Sequence, residues 1–170
     1  NREELIKGLH LAARYDRRIL VERGLDSPHE YEVAVLGNDD PSASIPGEVI
    51  PSEEFYSYHA KYEDERSQLL IPAPLPQETI AYLQQTAIAA FKAVDGSGMA
   101  RVDFLMDRTT GEIFLSEINT IPGFTKISMY PKLWEASGLP YAALVDRLVE
   151  LAIQRKADRD RTERQYGREE

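Results

Sequence analysis

The 170-residue sequence predicts an α+β fold, and three observations carry that reading. Residues 99 to 106 and 112 to 119 are two β-rich runs separated by Asp107-Arg108-Thr109-Thr110-Gly111, which is a hairpin pattern. Shorter β-rich runs lie at Ile19 to Glu22, Tyr31 to Leu36 and Gly47 to Ile50. Two segments, Gln77 to Val94 and one starting near Tyr141, instead repeat their apolar residues at helical spacing.

In chain order, Arg2 to Tyr15 places Leu5, Ile6, Leu9, Ala12 and Ala13 on one helical stripe. Asn1 is the expected N-cap, with Glu4 three residues on. Leu25-Asp26-Ser27-Pro28 and Gly37-Asn38-Asp39-Asp40-Pro41 read as turns around the Tyr31 to Leu36 strand. From Pro51 to Pro76 the pattern is mostly loop, and so long a loop inside a compact domain is normally functional or disordered. Ile80, Leu83, Gln84, Ala87, Ile88, Phe91 and Val94 form the stripe of the next helix, after Pro76. Leu144, Val145, Leu148, Val149, Leu151 and Ala152 mark the last one. After Ile153 the apolar pattern ends, so 154–170 reads as a charged tail, a frayed helix or disorder.

Charges sit in the hairpin where a core would be expected. A three-residue Thr109-Thr110-Gly111 loop with Gly111 left-handed sets Asp103 opposite Glu117 and Arg101 opposite Asn119. Because side chains alternate along a strand, all four share one face. The same register puts Leu105, Ile113 and Leu115 on that face, and Val102, Phe104, Met106, Phe114 and Ile118 on the other, with the hairpin buried on both sides. Directly opposed Cβ atoms lie about 4.5 to 5.5 Å apart, so two facing carboxylates repel unless a cation lies between them. Asp, Glu and Asn oxygens suit magnesium, and Arg101 would hold a phosphate or an oxyanion. An edge hairpin whose charges pair with one another, Arg101 with Glu117, fits the same residues. After the second strand the chain enters a Pro122-Gly123 turn and a polar loop through Ser128 to Pro131, where strand-end loops bind ligands.

Composition narrows the class. With no cysteine, disulfide scaffolds, thiolate metal sites and thiol nucleophiles are excluded. A net charge of -9 disfavours nonspecific nucleic-acid binding. No apolar run reaches the ~18 to 20 residues that span a bilayer, so the sequence reads as that of a cytoplasmic protein without membrane partners.

The segments Gly98-Met99-Ala100-Arg101-Val102-Asp103, Glu117-Ile118-Asn119-Thr120-Ile121-Pro122-Gly123 and Ser128-Met129-Tyr130-Pro131 resemble the signatures of the D-alanine–D-alanine ligases, ATP-grasp enzymes of peptidoglycan precursor synthesis. The resemblance extends over residues 1 to 153, taking in Val21-Glu22-Arg23-Gly24-Leu25, Glu30-Tyr31, the Phe55 to Tyr62 loop and Ile71-Pro72-Ala73. It implies an ATP-grasp fold: a large carboxy-terminal lobe with a mainly antiparallel sheet flanked by helices, at 22–153, preceded by the end of the small lobe at 1–21. Family members are about twice as long, and the glycine-rich phosphate loop and first-substrate domain have no counterpart here, so the chain is expected to be an incomplete part of the enzyme.

By the same resemblance, ATP and two Mg2+ or Mn2+ ions are the implied cofactors, with Asp103, Glu117 and Asn119 as metal ligands and Glu117 shared between the ions. Glu22, Arg23, Gly24 and Leu25 would read the adenine, and Glu30 the ribose, with Glu32 as the alternative register on the same strand. Lys61 would reach the terminal phosphate, and Tyr62 would close its loop over the acceptor. Arg101 and the Gly123 amide would hold a tetrahedral oxyanion, and Ser128 with the Met129 amide the carboxylate of the second D-alanine. The complete enzyme is expected to be a homodimer. His10, His29, His59 and Lys126 are given no role. Two readings remain open beside it: another ATP-grasp carboxylate–amine ligase, or a nonenzymatic half-domain that binds a nucleotide or partner.

Overall fold

The computed structural model describes residues 1–50, 68–125 and 127–162. Their elements are α1 (Arg2–Ala12), β1 (His29–Gly37), β2 (Ser42–Ala43), β3 (Gly47–Ile50), β4 (Gln68–Leu70), α2 (Gln77–Ala93), β5 (Gly98–Met106), β6 (Ile113–Asn119), α3 (Met129–Ala136) and α4 (Tyr141–Asp160). The sheet runs β4-β3-β1-β5-β6, with β2 added to β1, and every pairing is antiparallel. The α+β expectation holds.

Alternation along β1 divides its side chains between two cores. Tyr31, Val33 and Val35 pack with Leu83, Ala87 and Phe91 of α2 and with Ala100, Val102 and Phe104 of β5. Ala34 and Leu36 emerge on the opposite face and pack under Tyr130, Leu133 and Trp134 of α3 and Leu144 and Leu151 of α4. The sheet is therefore covered by α2 on one side and by α3 and α4 on the other. The buried Tyr130 hydroxyl donates to the Val35 carbonyl at 2.9 Å and so fixes α3 against the central strand.

Helix α1 starts as its sequence dictates: Asn1 accepts from the Glu4 amide, and Glu4 reaches back to the Asn1 backbone. Nothing on it is buried, and Leu5, Ile6 and Leu11 remain exposed. Several expectations are corrected. Ile19 to Glu22 is not a strand, because a β-rich run that has no neighbouring strand among the described residues has no sheet to join; Leu20 and Val21 lie open to solvent. The stretch Ser128 to Pro131 is the start of helix α3 and not only loop. Pro131 sits in its first turn, where the missing N–H has no partner to lose. Helix α4 continues past Ile153 to Asp160, extended on its solvent face by Lys156 pairing with Asp160 and Arg155 with Asp158.

Candidate functional site

The hairpin is paired as expected at its open end: Arg101 faces Asn119, Val102 faces Ile118 and Asp103 faces Glu117. It reaches that register by another route. The Asp107 amide bonds to the Glu112 carbonyl and the Gly111 amide to the Asp107 carbonyl, so the loop has one residue more than a three-residue turn. Gly111 is left-handed, with φ of 71°. A bulge between Asp103 and Phe104 on one side, opposite Ser116, restores the pairing beyond it.

The bulge also reverses the faces near the loop. Ile113 and Leu115 lie opposite Met106 and Phe104, and Ile113 packs on the α2 core, whereas Phe114 faces Leu105. The expected placing of Phe114 on the core side and of Ile113 and Leu115 on the site side is therefore inverted. Nor is β6 buried on both sides. Among the described residues it is the sheet edge, with Leu115, Ser116 and Glu117 exposed.

The Asp107 carboxylate accepts from the Thr109 and Thr110 amides at 2.8 and 2.9 Å, closing the loop. These backbone bonds, Thr110's foremost, hold its pKa below the usual carboxylate range.

On the site face Arg101 is the centre. Its Nε and Nη2 donate to the two Asp103 oxygens at 2.7 and 2.8 Å, a bidentate fork. Nε also lies 3.1 Å from Glu32 Oε2, and Nη2 4.0 Å from Glu117 Oε1. Burial by itself would lower the Arg101 pKa. The hydrogen bond to Asp103 and the charges of Glu32, Asp103 and Glu117 outweigh it and raise the guanidinium above its ordinary value. Among the described residues three carboxylates, Glu32, Asp103 and Glu117, thus lie around the Arg101 guanidinium. Arg101, Asp103 and Glu32 are largely buried, with side chains 12%, 13% and 11% exposed, while Glu117 at 54% opens to solvent.

Glu32 is the residue that sequence reasoning kept only as a register alternative. It lies directly opposite Asp103 across β1 and β5, so Glu32, Asp103 and Glu117 form one row over three strands. An acid set directly before the apolar run Val33 to Leu36 was the available signal. That β1 pairs with β5 is long-range information the local pattern does not contain. Glu30 shares this face two residues away, opposite Leu105.

Asn119 ends β6, its side-chain oxygen accepting from the Ile121 amide at 3.2 Å. Four residues on, Gly123 lies against Ser128, where a Cβ would come 3.0 Å from Ser128 Oγ. Ser128 Oγ accepts from the Thr125 amide at 3.0 Å and shares a hydrogen bond with Thr125 Oγ1 at 2.9 Å. Ser128 is the N-cap of α3 but makes no side-chain cap bond, so its hydroxyl does not occupy the amides at the positive end of the helix dipole. The Met129 side chain is core. Gly123 and Ser128 are therefore neighbours in space, with Met129 next to Ser128 in the chain.

Elsewhere, Glu22 borders an open groove with Leu5, Gly8, Leu9 and Ala12 of α1. Arg23 lies close enough to the hairpin loop to lower the Asp107 pKa by its charge. No atom comes within 4 Å of a Cβ placed on Gly24. Lys61 and Tyr62, and the loop around them, fall outside the described residues.

The donor chemistry fits a hard divalent cation: carboxylate and amide oxygens from Asp103, Glu117 and Asn119 lie on one face. Among the described residues no three histidine, aspartate or glutamate side chains converge in metal-holding geometry, and Asp103 is bonded to Arg101.

The antiparallel sheet and its flanking helices are those of an ATP-grasp fold. The family model described as the D-ala D-ala ligase C-terminus matches residues 1–150, and the chain belongs to the D-alanine–D-alanine ligase family. It is 61% identical over 155 residues to the D-alanine–D-alanine ligase of Thermoanaerobacter sp. strain X514, covering 91% of this chain and 43% of that protein. With the enzyme of Heliobacterium modesticaldum the identity is 54% over 161 residues, covering 95% and 44%. Among solved structures, the D-alanine–D-alanine ligase from Coxiella burnetii superposes with a TM-score of 0.81 at 44% identity, over 95% of this chain and 42% of that one. The VanG D-Ala:D-Ser ligase from Enterococcus faecalis gives 0.75 at 34% identity, over 89% and 43%. The chain thus spans less than half the length of these relatives.

Proposed function

We propose that this chain is the carboxy-terminal part of an ATP-dependent, ADP-forming D-alanine–D-alanine ligase, supplying the metal site and the acceptor site of the complete enzyme. The observation that carries the proposal is the in-register set Arg101, Asp103, Glu117 and Asn119, with Gly123 against Ser128 just beyond the end of β6. Residues 1–21 would then belong to the end of the small lobe, and the exposed apolar residues of α1 would face the part of the protein this chain lacks.

In this reading one D-alanine carboxylate attacks the γ-phosphate of ATP. The amine of a second D-alanine then displaces phosphate from the acyl phosphate through a tetrahedral intermediate. Asp103, Glu117 and Asn119 would hold magnesium or manganese, which neutralises charge shifting among the phosphates when bound. Glu22 to Leu25 and Glu30 would bind the nucleoside, and Lys61 the terminal phosphate. Arg101 and the Gly123 amide would face the oxyanion. Ser128 and the Met129 amide at the start of α3 would receive the acceptor carboxylate, as helix N-termini do. Tyr62 would favour an amine acceptor over a hydroxy acid. Cytoplasmic location and a homodimeric complete enzyme belong to the same proposal. Among the described residues no helix is long and apolar enough to cross a membrane.

Gly123→Ala is expected to push Ser128 out of place, because the new methyl group would sit 3.0 Å from its hydroxyl. In the complete ligase the KM for the acceptor should rise several-fold while ATP affinity stays unchanged; an unaltered acceptor KM would count against the carboxylate assignment. The reading as a whole is tested by D-alanine-dependent phosphate release from ATP, measured on this chain and on a version extended at its amino terminus by the missing lobes. Release is expected only from the extended protein. An extended, folded protein that released phosphate with another carboxylate and not with D-alanine would favour the other ATP-grasp ligases, and one inert with all of them the binding module.

A further inference from the structure

Arg101 faces a conflict within the site. Its guanidinium forks onto both oxygens of Asp103, yet Asp103 is also a proposed metal ligand, and a carboxylate so held has half of its lone pairs and part of its charge already committed when a cation arrives. Glu117 is 4.0 Å away and opens to solvent, and it too is assigned to the metal. The carboxylate that remains is Glu32. It lies 3.1 Å from Arg101 Nε, is as buried as Arg101 itself, and is held by the β1–β5 ladder directly opposite Asp103.

We infer that Glu32 is a positioning residue for Arg101: it holds the guanidinium over the hairpin while Asp103 passes from Arg101 to the metal. The inference rests on the metal reading of this site given above. Arg101 Nε already lies between Asp103 Oδ1 at 2.7 Å and Glu32 Oε2 at 3.1 Å, so the transfer needs only a small displacement of one side chain along the strand pair. Without Glu32, a largely buried guanidinium would have Asp103 as its one close carboxylate partner among the described residues, and a metal drawing on the same carboxylate would weaken that pairing. Arg101 would then compete with the metal for Asp103. With Glu32 present the guanidinium keeps a charged partner in both states, and its direction toward the reacting carbonyl is preserved.

The test is a double-mutant cycle on Mn2+ affinity, read by electron paramagnetic resonance of free Mn2+ in the complete ligase with a nonhydrolysable ATP analogue. The proteins are wild type, Glu32→Gln, Arg101→Ala and the double variant, with Glu117→Gln as the control for the metal reading. Glu32→Gln is expected to weaken Mn2+ by about tenfold when Arg101 is present and by no more than about twofold when Arg101 is alanine, a coupling typical of groups in direct contact. Equal weakening in both backgrounds would overturn the inference and make Glu32 a direct electrostatic or ligand contributor, and no weakening in either would also overturn it. If neither wild type nor Glu117→Gln bound Mn2+ at the site, the metal reading itself would fall, and this inference with it. Should Glu32→Gln not fold, Glu32→Asp keeps the charge but withdraws it by one methylene, and the same dependence on Arg101 is expected.

Discussion

Glu117→Gln in the complete ligase is expected to reduce D-alanine-dependent phosphate release by at least about 100-fold, the scale on which loss of one preorganised charge at a reacting centre is felt. Glu117 stands between Asp103 and the solvent opening of the site, directly opposite Asp103 across the hairpin. Its side chain is the most exposed of the acids around Arg101, so the substitution leaves the packing of the sheet untouched. Glutamine keeps the shape and one oxygen donor and removes the charge. The folded fraction and melting temperature should therefore match wild type while turnover collapses. Near-normal turnover would remove the metal assignment of Glu117, and a large fall in melting temperature would show that its role is structural.

Phe91→Ala has the largest expected effect on stability, about 3 to 5 kcal/mol, because truncating a buried aromatic loses both its transfer energy and the packing around the cavity left behind. Phe91 is fully buried near the end of α2, in the core formed with Leu83, Ala87, Val33, Val102 and Phe104. A domain of this size has about 5 to 15 kcal/mol in total, so the substitution removes a large part of it. Val149→Ala, at an exposed position on α4, is expected to stay within about 0.5 kcal/mol. Urea midpoints of the two variants check the contrast. Since α2 lies on the sheet face opposite Arg101 and Asp103, Phe91→Ala should leave the Mn2+ affinity of the remaining folded protein unchanged.

Local chemistry was legible in the sequence and long-range pairing was not. Asn1 with Glu4 announced the cap of α1, and the apolar stripe from Ile80 to Phe91 announced α2, because both signals lie within a few turns of one helix. The pairing of Asp103 with Glu117 and of Arg101 with Asn119 was correct, although the loop and the bulge each departed from the simplest hairpin by one residue and the two departures cancelled. The inverted faces of Ile113, Phe114 and Leu115 are what remains of that cancellation. A bulge is dictated by what the strand must bury on each side, which only the assembled sheet decides.

Helix α3 was hidden for a related reason. Its eight residues contain Pro131, and Tyr130, Leu133 and Trp134 gain their meaning from the sheet surface beneath them. Ile19 to Glu22 failed in the opposite direction, as a strand-like sequence for which the described residues provide no neighbouring strand. At the site, Arg101, Asp103, Glu117 and Asn119 could be found from one hairpin, whereas the central place of Glu32 depended on β1 pairing with β5.

The most direct measurement is the anomalous scattering of manganese in crystals of the complete ligase grown with Mn2+ and a nonhydrolysable ATP analogue. The account predicts peaks within about 2.0 to 2.3 Å of oxygens from Asp103, Glu117 and Asn119, with Glu117 touching both ions and Arg101 released from Asp103 toward Glu32. Peaks elsewhere, or a nucleotide complex in which Arg101 still forks both oxygens of Asp103, would contradict it.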